Sequence, residues 1–458
     1  MVNEELYLQS RRILFFFMRN KNKILLLWFC LCWLLPSNVA AQSGVHLSLF
    51  KEAKKQISIV IPDFLITKTY ETQDNTATKG ISILKNDLIL SGIFDIILTQ
   101  PIINQLNALD LDDDVIHYSR WKKLGVQALI RGEYSSTKNG ITFKLKLFDI
   151  INKKYLIGKL YSGRQFHLRQ IIHKFADEAV FYLTNERGIA QTKIAFVSKK
   201  SGHKELYIID YDGYNLKQVT NERSLVISPE WSPSGRKLAF TSYKSRNPNL
   251  IVVSLESKKE KTIANFPGLN ANPSWSPDGK KIAFTSSKDG NPEIYLIDTK
   301  RNIRRLTHFS GIDTSPTWSP DGKKIAFTSD RSGTPQIYIM DAKKGDNKMI
   351  KRVSFSGRYN DVPAWSPKED KIAYSSLRNN RFEIVILDLT SGKEVPMAES
   401  GYSKESPAWS PNGRFIAFSS TVSGVSAIYI MQSNGTGIRR LTFLKGGGFS
   451  PAWSSIPN

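Results

Sequence analysis

Six tryptophans, Trp231, Trp275, Trp318, Trp365, Trp409 and Trp453, are each followed by serine, and they fall 44, 43, 47, 44 and 44 residues apart. Self-similarity at this period marks a chain that uses one supersecondary unit repeatedly. One unit runs from Pro273-Ser274-Trp275-Ser276-Pro277 through Asp278-Gly279 and Lys281-Ile282-Ala283-Phe284-Thr285-Ser286 to Glu293-Ile294-Tyr295-Leu296-Ile297-Asp298 and Ile303-Arg304-Arg305-Leu306-Thr307. These are four short β-rich segments separated by turn residues. Asp-Gly supplies the positive φ angles of a tight hairpin, and it returns as Asp321-Gly322, with Ser234-Gly235 and Asn412-Gly413 in the same place. The unit of Trp365 carries Lys368-Glu369-Asp370 there instead, which predicts a longer or differently shaped turn.

Four antiparallel strands per repeat predict a β-propeller, whose blades bury both faces against their neighbours. The strands Ile282-Ala283-Phe284, Ile325-Ala326-Phe327 and Ile416-Ala417-Phe418 alternate large and small side chains, as a sheet wedged between two others requires. The first such copy, Ile194-Ala195-Phe196, has no Trp-Ser strand before it, and Trp453-Ser454 has no strand after it. The two ends of the repeat region are therefore expected to complete one blade, giving six blades with the last strand innermost.

Ahead of the repeats the pattern changes. Ile57 to Ile61 reads as a buried strand and Gly80 to Leu90 as a helix with apolar Ile81, Leu84, Leu88 and Ile89. Thr142 to Asp149 alternates as a strand, and Leu168 to Leu183 is an amphipathic helix with Ile171, Ile172, Phe175, Ala179 and Tyr182 on one side. The expected fold class is a two-domain α+β chain: an N-terminal mixed α/β domain over residues 42–190, then a six-bladed β-propeller over 191–458.

Residues 24–35 are almost wholly apolar, preceded by Arg19, Lys21 and Lys23 and followed by Pro36 and Val39-Ala40-Ala41. That predicts a signal peptide over residues 1–41, removed after Ala41, with Met18 as an alternative start. A membrane span needs about 20 apolar residues, more than this run offers. Cys30 and Cys32 are the only cysteines, so the processed chain has no thiol for a nucleophile, a zinc-thiolate site or a disulfide. The formal net charge of +23 would suit nucleic acid, but an exported chain meets anionic lipid, cell wall and acidic proteins instead. No nucleic-acid partner is expected.

Catalytic signatures are weak throughout. Gly424-Val425-Ser426-Ala427-Ile428 lacks the last glycine of a nucleophile elbow, and tryptophan precedes the Ser-Pro-Asp-Gly turn where a sialidase box would have it follow. The histidines, His46, His117, His167, His173, His203 and His308, show no metal-ligand spacing and read as structural. Asp110 and Asp112 to Asp114 lack the glycine and terminal glutamate of a calcium loop, and Ser201-Gly202-His203-Lys204 sits in a β-turn. No catalytic residue, cofactor or metal ligand is expected, which leaves a binding module. The alternative is a propeller-type periplasmic hydrolase or peptidase accessory subunit.

Repeats of the form Pro-x-Trp-Ser-Pro-Asp-Gly-x-x-Ile-Ala-Phe, with the variants above, behind a small α/β domain resemble the TolB family, the periplasmic propellers of the Tol-Pal system. Asp87-Leu88 with Ser91-Gly92-Ile93-Phe94, Trp121 with Gly125, and His173-x-x-Ala176-Asp177 leading through Leu183-Thr184 to Lys193-Ile194-Ala195-Phe196-Val197-Ser198 are similar to that family's segments in the same order. Asn185 to Ala190 departs from it, where relatives have a glycine directly after Leu-Thr.

The resemblance implies a non-enzymatic periplasmic adaptor that holds the lipoprotein Pal at one mouth of the propeller and communicates with TolA, maintaining the outer membrane and its constriction at division. The segments before the Pro-x-Trp strands are the candidate contacts: Leu269, Asn270 and Asn272; Asp313, Thr314 and Ser315; Asn360 and Asp361; Tyr402, Lys404 and Glu405. They are expected to be loops crossing the mouth. Family positions that touch Pal match Leu269, Asn272, Thr314 and Ser315, with His and Glu frequent in relatives at Leu269 and Ser315. The resemblance assigns TolA coupling to the segment of Gly44, Val45, His46 and Leu47, and leaves room for other outer-membrane partners.

Overall fold

The computed structural model describes residues 56–70, 73–97, 116–245, 247–346, 348–368, 370–397 and 401–457. The signal-peptide expectation, residues 44–47 and the acidic cluster at 110–114 lie outside them.

The first part of the chain is a mixed sheet under two long helices. Its elements are β1 (Ile57–Val60), β2 (Leu65–Lys68), α1 (Thr76–Leu90), β3 (Phe94–Ile96), α2 (Tyr118–Lys123), β4 (Ala128–Thr137), β5 (Gly140–Asp149), β6 (Lys154–Gly163) and α3 (Leu168–Thr184). The sheet order is β3-β1-β4-β5-β6, with β2 also on β4. Pairing is parallel among β1, β2, β3 and β4 and antiparallel through β4, β5 and β6. Spacings of three and four residues put Ile81, Leu84 and Leu88 of α1 on one stripe, and it packs with Ile171, Ile172, Phe175 and Ala179 of α3 over Phe143, Leu145 and Leu147 of β5. Gly80 lets α1 approach the sheet, since a Cβ there would sit 3.1 Å from the Phe143 ring.

Three sequence expectations need correction here. The first helix begins at Thr76, a turn earlier than Gly80. Ile89 and Tyr182 are 56% and 46% exposed, because each lies just beyond the stripe that meets the sheet. Finally, the turn after Trp365 is no longer than its counterparts: Ser366 N donates to Lys371 O at 2.9 Å, as Ser276 N does to Lys281 O at 2.8 Å. Its difference lies in the side chains, with Ser366 Oγ bonded to Asp370 at 3.3 Å where Ser276 Oγ holds Asp278 at 2.6 Å.

The rest of the chain is six four-stranded antiparallel sheets. The first to fifth blades open with innermost strands Val226–Trp231, Asn270–Trp275, Asp313–Trp318, Tyr359–Trp365 and Lys404–Trp409. The closing blade takes Phe449–Trp453 as its inner strand, paired to Lys193–Ser198, with Trp453 opposite Ile194. The expected joining of the two ends of the repeat region is thus the observed closure. Each Ile-Ala-Phe triplet lies on the second strand of its blade and is buried, with no residue more than 4% exposed.

At several junctions the tryptophan ties its blade to the one before. The indole N–H of Trp231 donates to Ala452 O at 3.1 Å, that of Trp318 to Ser274 O at 3.1 Å, and that of Trp409 to Ala364 O at 3.0 Å. At the seam, Trp453 donates to Thr192 Oγ1 at 2.9 Å. A large apolar body with one donor at its rim fills the wedge between sheets and satisfies a carbonyl that the ring would otherwise bury.

The α/β part sits on the propeller end that carries the hairpin turns. Ile171, Ile172 and Phe175 share one core with Ile194, Tyr211, Phe415, Leu441 and Trp453 of the fifth and closing blades. The connection is short and braced. Asn185 ends α3 at φ 58°, and Asp177 Oδ1 accepts from Ala190 N at 2.7 Å while Oδ2 accepts from Gln191 N at 3.1 Å. Burial pushes the Asp177 carboxyl up to about 6 even though these bonds pull it down.

Candidate functional site: the propeller mouth and the junction beneath it

The opposite end of the ring is shaped by a repeated irregularity. In every innermost strand the register with the second strand shifts midway, as between Ala271 and Ser274 or between Thr314 and Thr317. The shift centres on Ser228, Asn272, Ser315, Val362, Ser406 and Ser450, whose φ angles are 53°, 52°, 53°, 53°, 56° and 47°. Each precedes proline, which disfavours the right-handed helical region for it and withholds a ladder N–H from the strand. Left-handed backbone is uncommon for residues with a Cβ and most costly for a β-branched one such as Val362. The neighbouring blade compensates: Ser315 N donates to Thr285 Oγ1 at 3.2 Å and Ser406 N to Ser375 Oγ at 2.9 Å. The result is a ring of six bulges whose side chains vary from blade to blade.

The candidate contacts fall on or beside this ring, but mostly on the strands rather than in loops. Asn270, Asn272, Asp313, Thr314, Ser315, Asn360, Asp361, Lys404 and Glu405 all belong to innermost strands, while Leu269 and Tyr402 precede them. The expectation of loop residues fails because the inner strands begin five or six positions before tryptophan.

Burial then divides the set. Asn270 is a framework clip: its amide donates to Phe266 O at 2.7 Å and its oxygen accepts from Ser286 Oγ at 3.1 Å. Asn360 repeats the donor half of the arrangement, donating to Ser356 O at 2.8 Å and Gln336 Oε1 at 2.7 Å, while its oxygen has no acceptor bond. Asp313 is fully buried and accepts from Arg331 at 2.8 Å; burial pushes its carboxyl up to about 6, against the opposing pull of that guanidinium. Lys404 is buried as well, and desolvation lowers its ammonium pKa, with Glu383 acting the other way. Asp361 Oδ1 accepts from Thr328 Oγ1 at 2.9 Å and from Val362 N at 2.6 Å. Leu269, Asn272 and Glu405 are half-buried and Tyr402 is exposed, so these present side chains at the mouth, with Thr314 and Ser315 just showing between them.

Two features were not singled out from sequence. The bulge residues Ser228, Val362, Ser406 and Ser450 belong to the same ring, and the residue-proline pair at a fixed distance before each tryptophan was their signal. Glu230 is the other. It occupies the Pro-x-Trp position that holds Ser274, Thr317, Ala364, Ala408 and Ala452 in the other blades, and burial pushes its carboxyl up to about 8.

At the junction with the α/β part lies a buried charged cluster. His173 Nδ1 of α3 is 2.6 Å from Asp87 Oδ2 of α1, and Asp87 Oδ1 accepts from Tyr211 OH at 2.8 Å. Asp212 faces His173 Nε2 at 3.7 Å and is held by the Arg169 guanidinium. Asp87, His173 and Asp212 are each 3% exposed, and burial beside Asp87 raises the Tyr211 phenol well above its usual value. Three ligand atoms here lie within 4.8 Å of one another, the one such group among the described residues. Arg169 already supplies Asp212 with a cation, so the donor set suits a charge-balanced clamp between the two parts better than a metal ion.

Known proteins point the same way. A family model described as the TolB beta propeller domain matches residues 181–457, and one described as the TolB amino-terminal domain matches residues 45–156. A Tol-Pal system protein TolB from Geobacter sulfurreducens is 40% identical over 158 residues, 34% of this chain and 35% of that one. Another from Desulfosudis oleivorans is 36% identical over 216 residues, covering 47% and 49%. The first of these alignments thus spans about a third of the relative's length. The crystal structure of TolB from Acinetobacter baumannii overlays with a TM-score of 0.74 at 29% identity, covering 88% of this chain and 98% of that one. Among the described residues no helix is long and apolar enough to cross a membrane. With a propeller model over more than half the chain, the amino-terminal model ahead of it and one crystal structure spanning both, the chain belongs to the TolB family of the Tol-Pal system.

Proposed function

We propose that this protein is a non-enzymatic periplasmic adaptor that receives the lipoprotein Pal at the propeller mouth and engages TolA through residues 44–47, sustaining outer-membrane integrity and constriction at division. The observation that carries this reading is the bulge ring: a stiff frame of blade-to-blade hydrogen bonds that presents a different small set of side chains from each blade. Such a surface suits recognition of one folded partner, with contacts fixed before binding. Leu269, Asn272, Thr314, Ser315, Tyr402 and Glu405 are its exposed or half-shown members, whereas Asn270, Asp313, Asn360 and Lys404 act by holding the strands that carry them. Isothermal titration with soluble Pal tests it. Leu269→Arg, Tyr402→Ala and Glu405→Lys should each weaken binding without changing the circular dichroism spectrum, since surface changes usually move stability by about 0.5 kcal/mol or less. Deleting residues 42–50 should abolish TolA binding and alter Pal affinity. Unchanged Pal affinity in all three substitutions moves the site away from the mouth.

A further inference from the structure

At the hairpin-turn end of the ring, the first and second blades contribute no residue to the core shared with α1 and α3. Between the first and second blades a cleft of about 310 Å³ opens there. Its floor is apolar, built from Val252, Ile263, Ile282 and Ile297 with Trp275 as one wall. Its rim carries six cations, Lys237, Lys259, Lys261, Lys280, Lys281 and Arg301, against one carboxylate, Asp298.

Strand alternation produces this asymmetry. On the outer strand Glu260–Ala264, residues 261 and 263 turn into the cleft with Lys259 just before it. Glu260 faces the other way, beside Glu222, whose like charge helps to raise its pKa after burial has done so. No carboxylate stands within ion-pair distance of any of the six cations among the described residues, and Arg301 reaches only the Thr262 carbonyl. The comparable cleft between the third and fourth blades, about 330 Å³, is different: Asp341 and Asp388 line it, and Lys348 pairs with Asp341 at 3.6 Å.

Trp275 adds an independent observation. Of the six Trp-Ser tryptophans it alone keeps a buried indole N–H with no acceptor, so the ring at this junction lacks the tether to the preceding blade.

We propose that the cleft between the first and second blades binds a phosphate-headed amphiphile, its hydrocarbon part on the apolar floor and its phosphate at the cationic rim. Six like charges around one small apolar cleft repel one another, and an anion with an apolar body relieves the repulsion while covering the floor. Each rim cation adds attraction toward an anionic headgroup, so reversing two of them should weaken binding by about tenfold or more. The site is separate from the mouth, and its failure leaves the Pal reading untouched.

The test is calorimetric and fluorimetric titration of the full processed chain with octyl phosphate, beside inorganic phosphate and octyl glucoside. Sedimentation with phosphatidylglycerol vesicles distinguishes a bilayer lipid from a free amphiphile. The expected result is saturable binding of one octyl phosphate per chain with a change in Trp275 emission that is lost in Trp275→Phe, and much weaker binding of the other two. Lys259→Glu with Lys261→Glu should weaken binding about tenfold or more, whereas Lys324→Glu with Lys351→Glu in the other cleft should leave it unchanged. If the first pair fails to fold, Lys261→Gln with Arg301→Gln replaces it, with a smaller loss expected. No saturable binding, equal binding of octyl glucoside, or binding indifferent to the rim substitutions overturns the proposal.

Discussion

Tryptophan and glutamate on the inner strands show how one residue position can carry different energetics in different blades. Trp318 donates to Ser274 O, whereas the equivalent Trp275 N–H finds no acceptor. Replacing each by phenylalanine separates the two cases. Trp318→Phe forfeits a buried hydrogen bond, costing about 1 kcal/mol beyond packing, while Trp275→Phe removes an unmet donor and should cost less by about that amount. Chemical denaturation of both variants checks the difference, and equal losses would contradict the assignment. Glu230 invites a pH experiment. Its folded-state pKa of about 8 exceeds the unfolded value near 4.5, so the folded state favours the protonated carboxyl. Stability from this group is present below pH 4.5 and falls as pH rises toward 8. Glu230→Gln should therefore melt higher than the parent at pH 8 and alike at pH 4, by of order 1 kcal/mol after allowance for solvent screening. An equal melting temperature at pH 8 would place the carboxyl in water.

Among the elements, the inner strand Phe449–Trp453 matters most for closure. It pairs with Lys193–Ser198, and Trp453 joins the core shared with the helices. Deleting residues 449–458 should remove the seam and collapse the cooperative melt, and Trp453→Ala should cost about 3 to 5 kcal/mol. A truncated chain melting with the parent would mean that the ring closes without it. The strands themselves were legible in the sequence because a sheet buried on both faces imposes large-small alternation, as in Ile325-Ala326-Phe327, and because Asp-Gly announces its turn. The mouth was less so. Segments such as Asp313-Thr314-Ser315 and Asn360-Asp361 look like polar loops, but they are strand residues whose side chains close on neighbouring blades. Polarity alone does not say whether a hydrogen-bond partner is water or a strand distant in sequence.

For the whole molecule, the decisive contact is the junction of α1 and α3 with the closing blade, where Asp87, His173, Tyr211, Arg169 and Asp212 meet out of water. Removing one member leaves a buried charge uncompensated. Asp87→Ala should cost about 3 to 5 kcal/mol, with Asp87→Asn recovering part of it through the Tyr211 hydrogen bond. Limited proteolysis between residues 185 and 192 should accelerate in Asp87→Ala if the clamp holds the two parts together, and unchanged cleavage would reduce the cluster to a local fold contact.

The sequence by itself determined the propeller, its six blades, the strand that closes it and the family, because period, alternation and turn chemistry are local properties repeated along the chain. It also marked Asp87 and His173 as family-like positions, though not as neighbours. Only the tertiary structure decided which mouth side chains are exposed, which of six equivalent tryptophans lacks an acceptor, and where cations from two blades outnumber the carboxylates around one cleft. Those depend on what lies across an interface between segments far apart in sequence, and burial, electrostatics and hydrogen-bond satisfaction exist only once the blades are stacked.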